Sequence, residues 1–200
     1  MISSEFTADD IREILLQIDE EAVLELGPSA KLKMVIVGGS VLLLSQLSSR
    51  TFTRDIDALS YDEVLREIVA RHLELNSQVS VYADRLPKKF ESRLTELPLT
   101  TQTVHFLRPS NEDLAVMKLY SWRKQDQDDL LNIPMLKELN RVLLEKLIYD
   151  ENEAKASSNT KLLYDQMVET YETRFLPRAV KIAKRNNIEQ WLETNDEAHV

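Results

Sequence analysis

Val35-Ile36-Val37-Gly38-Gly39-Ser40, followed shortly by Arg54-Asp55-Ile56-Asp57-Ala58-Leu59, is the stretch on which the reading of this chain turns. The whole sequence holds three glycines in 200 residues, and two of them stand side by side here. Residues 35 to 37 are β-branched and apolar, so they predict a buried strand, and Val41 to Leu47 predict a short apolar helix. A turn without side-chain bulk between strand and helix lets backbone N–H groups approach an anion. Asp55 and Asp57 then lie two apart in an apolar run, and the period of a strand puts both carboxylates on one face.

Like charges about 4 Å apart repel by roughly 4 kcal/mol at an effective dielectric near 20. Either one carboxylate takes a proton or a divalent cation sits between them. Hard oxygen ligands with open positions suit Mg²⁺ or Mn²⁺, which commonly bind through one or two carboxylates and substrate phosphates. An Asp-x-Asp pair alone is common on exposed strands and turns; strand, Gly-Gly-Ser, helix and Asp-x-Asp strand together are far more specific. A dinucleotide-binding turn is the competing ligand reading, but Gly38-Gly39-Ser40-Val41-Leu42-Leu43 lacks the spaced glycines which that motif requires. An ordinary tight turn with no ligand is the plainest alternative.

Gly38-Gly39-Ser40 with Arg50, Thr53, Arg54, Asp55, Ile56 and Asp57 resembles the Gly-Gly-Ser/Thr and Arg-x-x-Thr-x-Asp-Ile-Asp signature of minimal nucleotidyltransferases of the DNA polymerase β superfamily, in the flavour of the AbiEii-type toxins. A second stretch, Asp113-Leu114-Ala115-Val116-Met117-Lys118-Leu119 followed by Arg123, Asp126 and Asp129, is similar to that group's Met-Lys-Leu helix and Arg-x-x-Asp-x-x-Asp pattern. The resemblance covers roughly residues 30 to 132. It implies a polymerase β-like core and transfer of a nucleoside monophosphate from a nucleoside triphosphate. Asp55 and Asp57 would hold Mg²⁺ or Mn²⁺. Gly38, Gly39, Ser40, Arg54 and Lys118 would meet the nucleotide, and Asp126 would complete the site. The implied acceptor is an RNA end such as that of tRNA, a protein hydroxyl or a small molecule, and the implied partners include an antitoxin or a second copy of the chain. One departure from the superfamily pattern stands out: Thr103-Val104-His105-Phe106-Leu107 offers no third carboxylate, and Asp84, after the other expected strand, is the available substitute.

Residue by residue, plainer roles compete with these. Ser40 at a helix start is a natural cap, Lys118 a snorkelling lysine, and Arg123, Asp126 and Asp129 an i,i+3 ion-pair ladder. His72, His105 and His199 have no zinc spacing. A catalytically silent nucleotide binder and a pure interaction protein are the other function classes.

Composition sets the outer limits. The 43% hydrophobic content supports one good core, or a core and a small appended domain. No apolar run is long enough to span a bilayer, the N-terminus is polar and acidic rather than signal-like, and there is no cysteine, so the cytosol is the expected compartment. A formal charge of −9 opposes general nucleic-acid binding, so a nucleic-acid acceptor has to be met by a local basic patch. Two such stretches exist: Arg85, Lys88, Lys89 and Arg93, and Arg178, Lys181, Lys184 and Arg185.

The predicted class is α+β, with α/β order first and helices after. Residues 1–132 form the nucleotidyltransferase-like part and 133–200 a helical part that can pack into the same unit. Thr7 to Asp10 reads as a capping box ahead of Ile11, Ile14, Leu15 and Ile18. Asp62 starts a helix with Leu65, Ile68, Val69 and Leu73 inward, and residues 78–82 and 103–107 are strands. Ser110 opens the next helix. Pro134 begins one running to Tyr149 with Leu136, Leu139, Val142, Leu143 and Leu147 as its stripe, residues 150–160 form a loop, and a helix follows through Leu162, Leu163, Met167, Val168 and Tyr171. Pro177 opens a further helix, and Trp191 anchors the last one.

Overall fold

A computed structural model describes residues 5–60, 62–76, 84–121, 123–149 and 161–193. The chain is mixed α+β and divides into two compact units: Met1–Gln46 with Arg50–Val81 and Arg93–Pro109, and Leu47–Ser49 with Tyr82–Ser92 and Ser110–Val200. No helix among the described residues is long and apolar enough to cross a membrane.

The first unit begins with α1 (Ala8–Leu26), where Thr7 and Asp10 make the expected capping box: the Thr7 Oγ1 accepts from the Asp10 N–H and the Asp10 carboxylate accepts from the Thr7 N–H. Ile11, Leu15, Ile18 and Ala22 are fully buried at helical spacing, each of the three large side chains contributing about 1.5–3 kcal/mol. Five strands form one mixed sheet: β1 (Leu32–Val37), β2 (Ile56–Ser60), β3 (Leu75–Asn76), β4 (Thr95–Glu96) and β5 (Val104–Arg108), in the order β3-β2-β1-β5-β4. β1 is central, antiparallel to β2 with Val37 opposite Asp57 and parallel to β5. Met34 to Val37 are buried, as a central strand covered on both faces requires. Among the described residues the unit also holds two short helices, α2 (Gly38–Leu44) and α3 (Glu63–Val69).

The Asp19 carboxylate ties α1 to the sheet. It is buried and accepts backbone N–H bonds from Gln102, Thr103 and Val104 at 2.7 to 2.8 Å, which satisfies the chain as it enters β5. α3 ends at Val69, four residues short of Leu73, which is 94% exposed rather than part of the buried face. The expected strand at 78–82 lies outside the described residues.

The second unit is helical: α4 (Asn111–Leu119), α5 (Lys124–Leu130), α6 (Ile133–Glu138), α7 (Arg141–Tyr149), α8 (Lys161–Glu169), a π-helical turn (Thr170–Phe175), α9 (Leu176–Asn186) and α10 (Glu189–Glu193). Ser110 caps α4 as predicted, accepting from the Asp113 N–H. The single helix expected from Pro134 to Tyr149 is two helices. Leu139 takes an extended conformation, Glu112 accepts the Asn140 N–H at 2.7 Å, and Asn140 Oδ1 accepts the Leu143 N–H, so an asparagine starts a new helix inside the apolar repeat. The break turns Val142 outward and makes Leu144, Leu147 and Ile148 the buried positions. The stretch 150–160 lies outside the described residues. Leu162 and Leu163 are exposed, whereas Met167 and Tyr171 are fully buried. Trp191 is fully buried and donates from Nε1 to the Leu136 carbonyl at 2.7 Å, the anchor its position predicted.

Candidate active site

In the first unit, the register that sets Val37 opposite Asp57 brings the aspartate to the end of β1 where the chain turns into α2. Gly38 has φ +70°, and a β-carbon built on it would collide with Asp57 Oδ2 and lie 3.2 Å from Asp57 Cγ. Glycine is therefore required twice, for the left-handed backbone and for the space the carboxylate occupies. Gly39 makes a second close approach: its missing β-carbon would lie 3.1 Å from Thr53 Oγ1 and 3.2 Å from Arg50 Nη1. The two glycines thus admit an aspartate carboxylate and an arginine guanidinium against adjacent α-carbons.

The loop before β2 is pinned in place. Thr53 pairs with Phe6 through reciprocal backbone bonds of 2.8 and 2.9 Å, and its hydroxyl donates to the Asp55 carbonyl at 3.3 Å. Asp57 is buried on β2, Asp55 precedes the strand and is exposed, and Arg54 is exposed beside it. Asn76, paired in register with Asp57 from β3, donates Nδ2–H to Asp57 Oδ1 at 3.0 Å. Ser40 is fully buried and its hydroxyl donates to the Val37 carbonyl at 2.9 Å. It does not cap α2, whose cap position is Val37 with no side-chain bond.

The donor set fits a hard divalent cation. Asp57 on β2 is buried, with its carboxylate against Gly38 and one oxygen bonded to Asn76, and Asp55 lies exposed just before the strand; carboxylate oxygens are the donor type such an ion takes. Among the described residues no group of three or more His, Cys, Asp or Glu side chains could hold a metal, so the remaining ligands of such an ion would be phosphate and water oxygens.

The second unit brings Lys118, Asp126 and Asp129 together, all at most 4% exposed. Lys118 Nζ donates to Asp126 Oδ1 and Asp129 Oδ2, each at 2.7 Å. Asp126 Oδ2 also accepts from Ser121 Oγ at 2.6 Å and Arg123 Nε at 2.7 Å, and Ser48 donates to Asp129 Oδ1 at 3.2 Å. Two cations and two carboxylates cancel. Burial alone would raise the Asp126 carboxyl, but the charge and hydrogen bond of Lys118, the Ser121 hydroxyl and Arg123 outweigh it and lower the pKa to about 2. The i,i+3 ladder expected between Arg123 and Asp126 is present, with Lys118 as its buried centre.

Two contributors carried no assigned role in the sequence reading. Arg50 belonged to the signature, but only the fold puts its guanidinium against Gly39. Asn76 had no sequence signal, because its meeting with Asp57 is made by the parallel pairing of β3 and β2.

No curated protein and no solved structure matches the chain. A family model described as "Nucleotidyltransferase of unknown function (DUF6036)" matches residues 13–176, from within α1 to the first residue of α9. The strand, glycine turn and aspartate strand all fall inside that span, and the chain belongs to this nucleotidyltransferase family.

Proposed function

We propose that the chain transfers a nucleoside monophosphate from a nucleoside triphosphate to an acceptor hydroxyl, in a Mg²⁺- or Mn²⁺-dependent reaction of the polymerase β type, as its resemblance to AbiEii-type toxins implies. The observation that carries this reading is the packing of the Asp57 carboxylate against Gly38, with the Arg50 guanidinium against Gly39. A carboxylate that can hold a metal and a guanidinium that can meet a phosphate thus lie against neighbouring glycines of one turn.

In this reading Asp55 and Asp57 hold the divalent ion, and Asn76 keeps Asp57 from rotating away by occupying one of its oxygens. A bound ion supplies positive charge to the triphosphate oxygens and to the departing pyrophosphate. Gly38 and Gly39 let Asp57 and Arg50 close on the turn, where Arg50 would offset the charge of the phosphate chain. The acceptor oxygen forms a bond to the α-phosphorus, the bond from that phosphorus to the bridging oxygen breaks, pyrophosphate leaves, and the hydroxyl proton passes to a base. The candidate acceptors are an RNA end, a protein hydroxyl or a small molecule. The same resemblance suggests a toxin role with a cognate antitoxin, and the lack of cysteine and of a membrane-spanning run suggests the cytosol as its compartment.

One observation favours a second reading, nucleotide binding without transfer. The side chain beside Asp57 on β3 is the amide of Asn76, which cannot accept the acceptor's proton as a carboxylate would. Incubation with each α-³²P-labelled triphosphate, Mg²⁺ and total RNA or total protein separates the two readings. Label transferred by the wild type and not by Asp57→Asn supports transfer; metal-dependent binding with no label transferred in any mixture supports the silent binder.

A further inference from the structure

The π-helical turn and α9 carry five exposed cations: Arg174, Arg178, Lys181, Lys184 and Arg185. The sequence from Leu176 to Asn186 contains no acidic residue, in a chain whose 34 acidic side chains outnumber its 25 lysines and arginines. Lys184 and Arg185 sit in the last turn, where they complement the helix dipole. That explanation does not reach Arg174, Arg178 or Lys181.

Their spacing does have an order. Arg178, Lys181 and Arg185 follow at intervals of three and four, so at 3.6 residues per turn they share an arc of about 60° and extend along about 10 Å of helix, with Arg174 in the π-helical turn before them. The line Tyr171, Phe175, Ala179 and Ala183 is buried, which fixes the rotation of the helix and leaves the cationic stripe outside. Arg178, Lys181, Lys184 and Arg185 enter no ion pair among the described residues. Arg174, like Arg85, Lys88, Lys89 and Arg93 of the other basic stretch, already has a bonding or electrostatic partner.

We propose that this stripe docks a single-stranded nucleic acid through its phosphates. Cations one helical turn apart match the step between neighbouring phosphates of one strand. A straight row suits a single strand better than the curved groove of a duplex. Four of the five cations lie past residue 176, where the family match ends, so the inference stands on α9 and not on the glycine turn.

The test is fluorescence anisotropy with a labelled 20-nucleotide mixed-sequence RNA or DNA strand, the same sequence as duplex, and poly-glutamate, at 50 and 200 mM salt. The variants are Arg178→Gln/Lys181→Gln/Arg185→Gln and, separately, Asp57→Asn. The triple variant changes exposed side chains only, and circular dichroism verifies its fold. The expected result is single-strand binding that weakens about tenfold or more in the triple variant, with a salt slope shallower by about 2 for three lost phosphate contacts. Asp57→Asn should bind the strand as the wild type does, so that loss of transfer and loss of docking are told apart. The proposal is overturned if the wild type binds no strand, if the triple variant binds it unchanged, or if duplex or poly-glutamate binds more tightly.

Discussion

The Asp57 carboxylate lies against the α-carbon of Gly38, in the space that a β-carbon would take. Gly27 offers a matched comparison, since it also has positive φ, +81°, but has nothing within 4 Å of a built β-carbon. Gly27→Ala should cost only the backbone strain, about 1–3 kcal/mol. Gly38→Ala should cost that and displace Asp57 as well. Denaturant melts of the two variants, with triphosphate binding measured beside them, give the comparison: both lose stability, and only Gly38→Ala loses metal-dependent nucleotide binding.

The Lys118 cluster predicts an acid-sensitive fold. The Asp126 carboxyl is lowered from 3.8 to about 2 in the folded chain, so the folded state binds the proton more weakly than the unfolded one. Its contribution, about 2 kcal/mol, is complete above pH 4 and disappears as the pH falls from 4 to 2. Asp126→Asn should flatten the stability profile over that window. Lys118→Met leaves two buried carboxylates without their cation and should cost about 3–5 kcal/mol at neutral pH. A Lys118→Met protein that melts with the wild type would remove the structural role assigned to the cluster.

Asp19 should be as sensitive as any core position. Its carboxylate accepts three backbone N–H groups at the entry to β5, and truncation leaves those of Thr103 and Val104 buried without a partner. Asp19→Ala is expected to lose about 3 kcal/mol or more in urea unfolding. A loss under 1 kcal/mol would mean that water replaces the carboxylate.

What could be read from the sequence was what depends on local pattern. The capping box at Thr7, the Ser110 cap, the buried strand at Val35 to Val37 and the anchoring Trp191 all rest on residues within a few positions of each other or on plain apolar size. The pairs that needed the sheet were not readable: Asp19 reads as one more acid on a helix, and Asn76 meets Asp57 across 19 positions because two strands run parallel. The break at Asn140 was hidden for a related reason. The apolar repeat continues through it, while the stop is made by Glu112 from another helix.

Asn76 allows a direct test of the geometry at Asp57. Asn76→Asp puts two carboxylates in register on adjacent strands, so without metal the melting temperature should fall, by the equivalent of about 1 kcal/mol. Millimolar Mg²⁺ should restore it, and by more than any effect on the wild type. If Mg²⁺ leaves the variant's melting temperature unchanged, no cation sits beside Asp57.

The central claim is that Asp57 holds a metal for a nucleoside triphosphate, and thermal stabilisation by ATP, GTP, CTP and UTP, each with and without Mg²⁺, on the wild type and Asp57→Asn tests it most directly. The account predicts that at least one triphosphate raises the wild-type melting temperature only when Mg²⁺ is present. It also predicts that Asp57→Asn keeps its fold and loses the effect. Equal stabilisation of both proteins, or no Mg²⁺-dependent shift with any triphosphate, would contradict it.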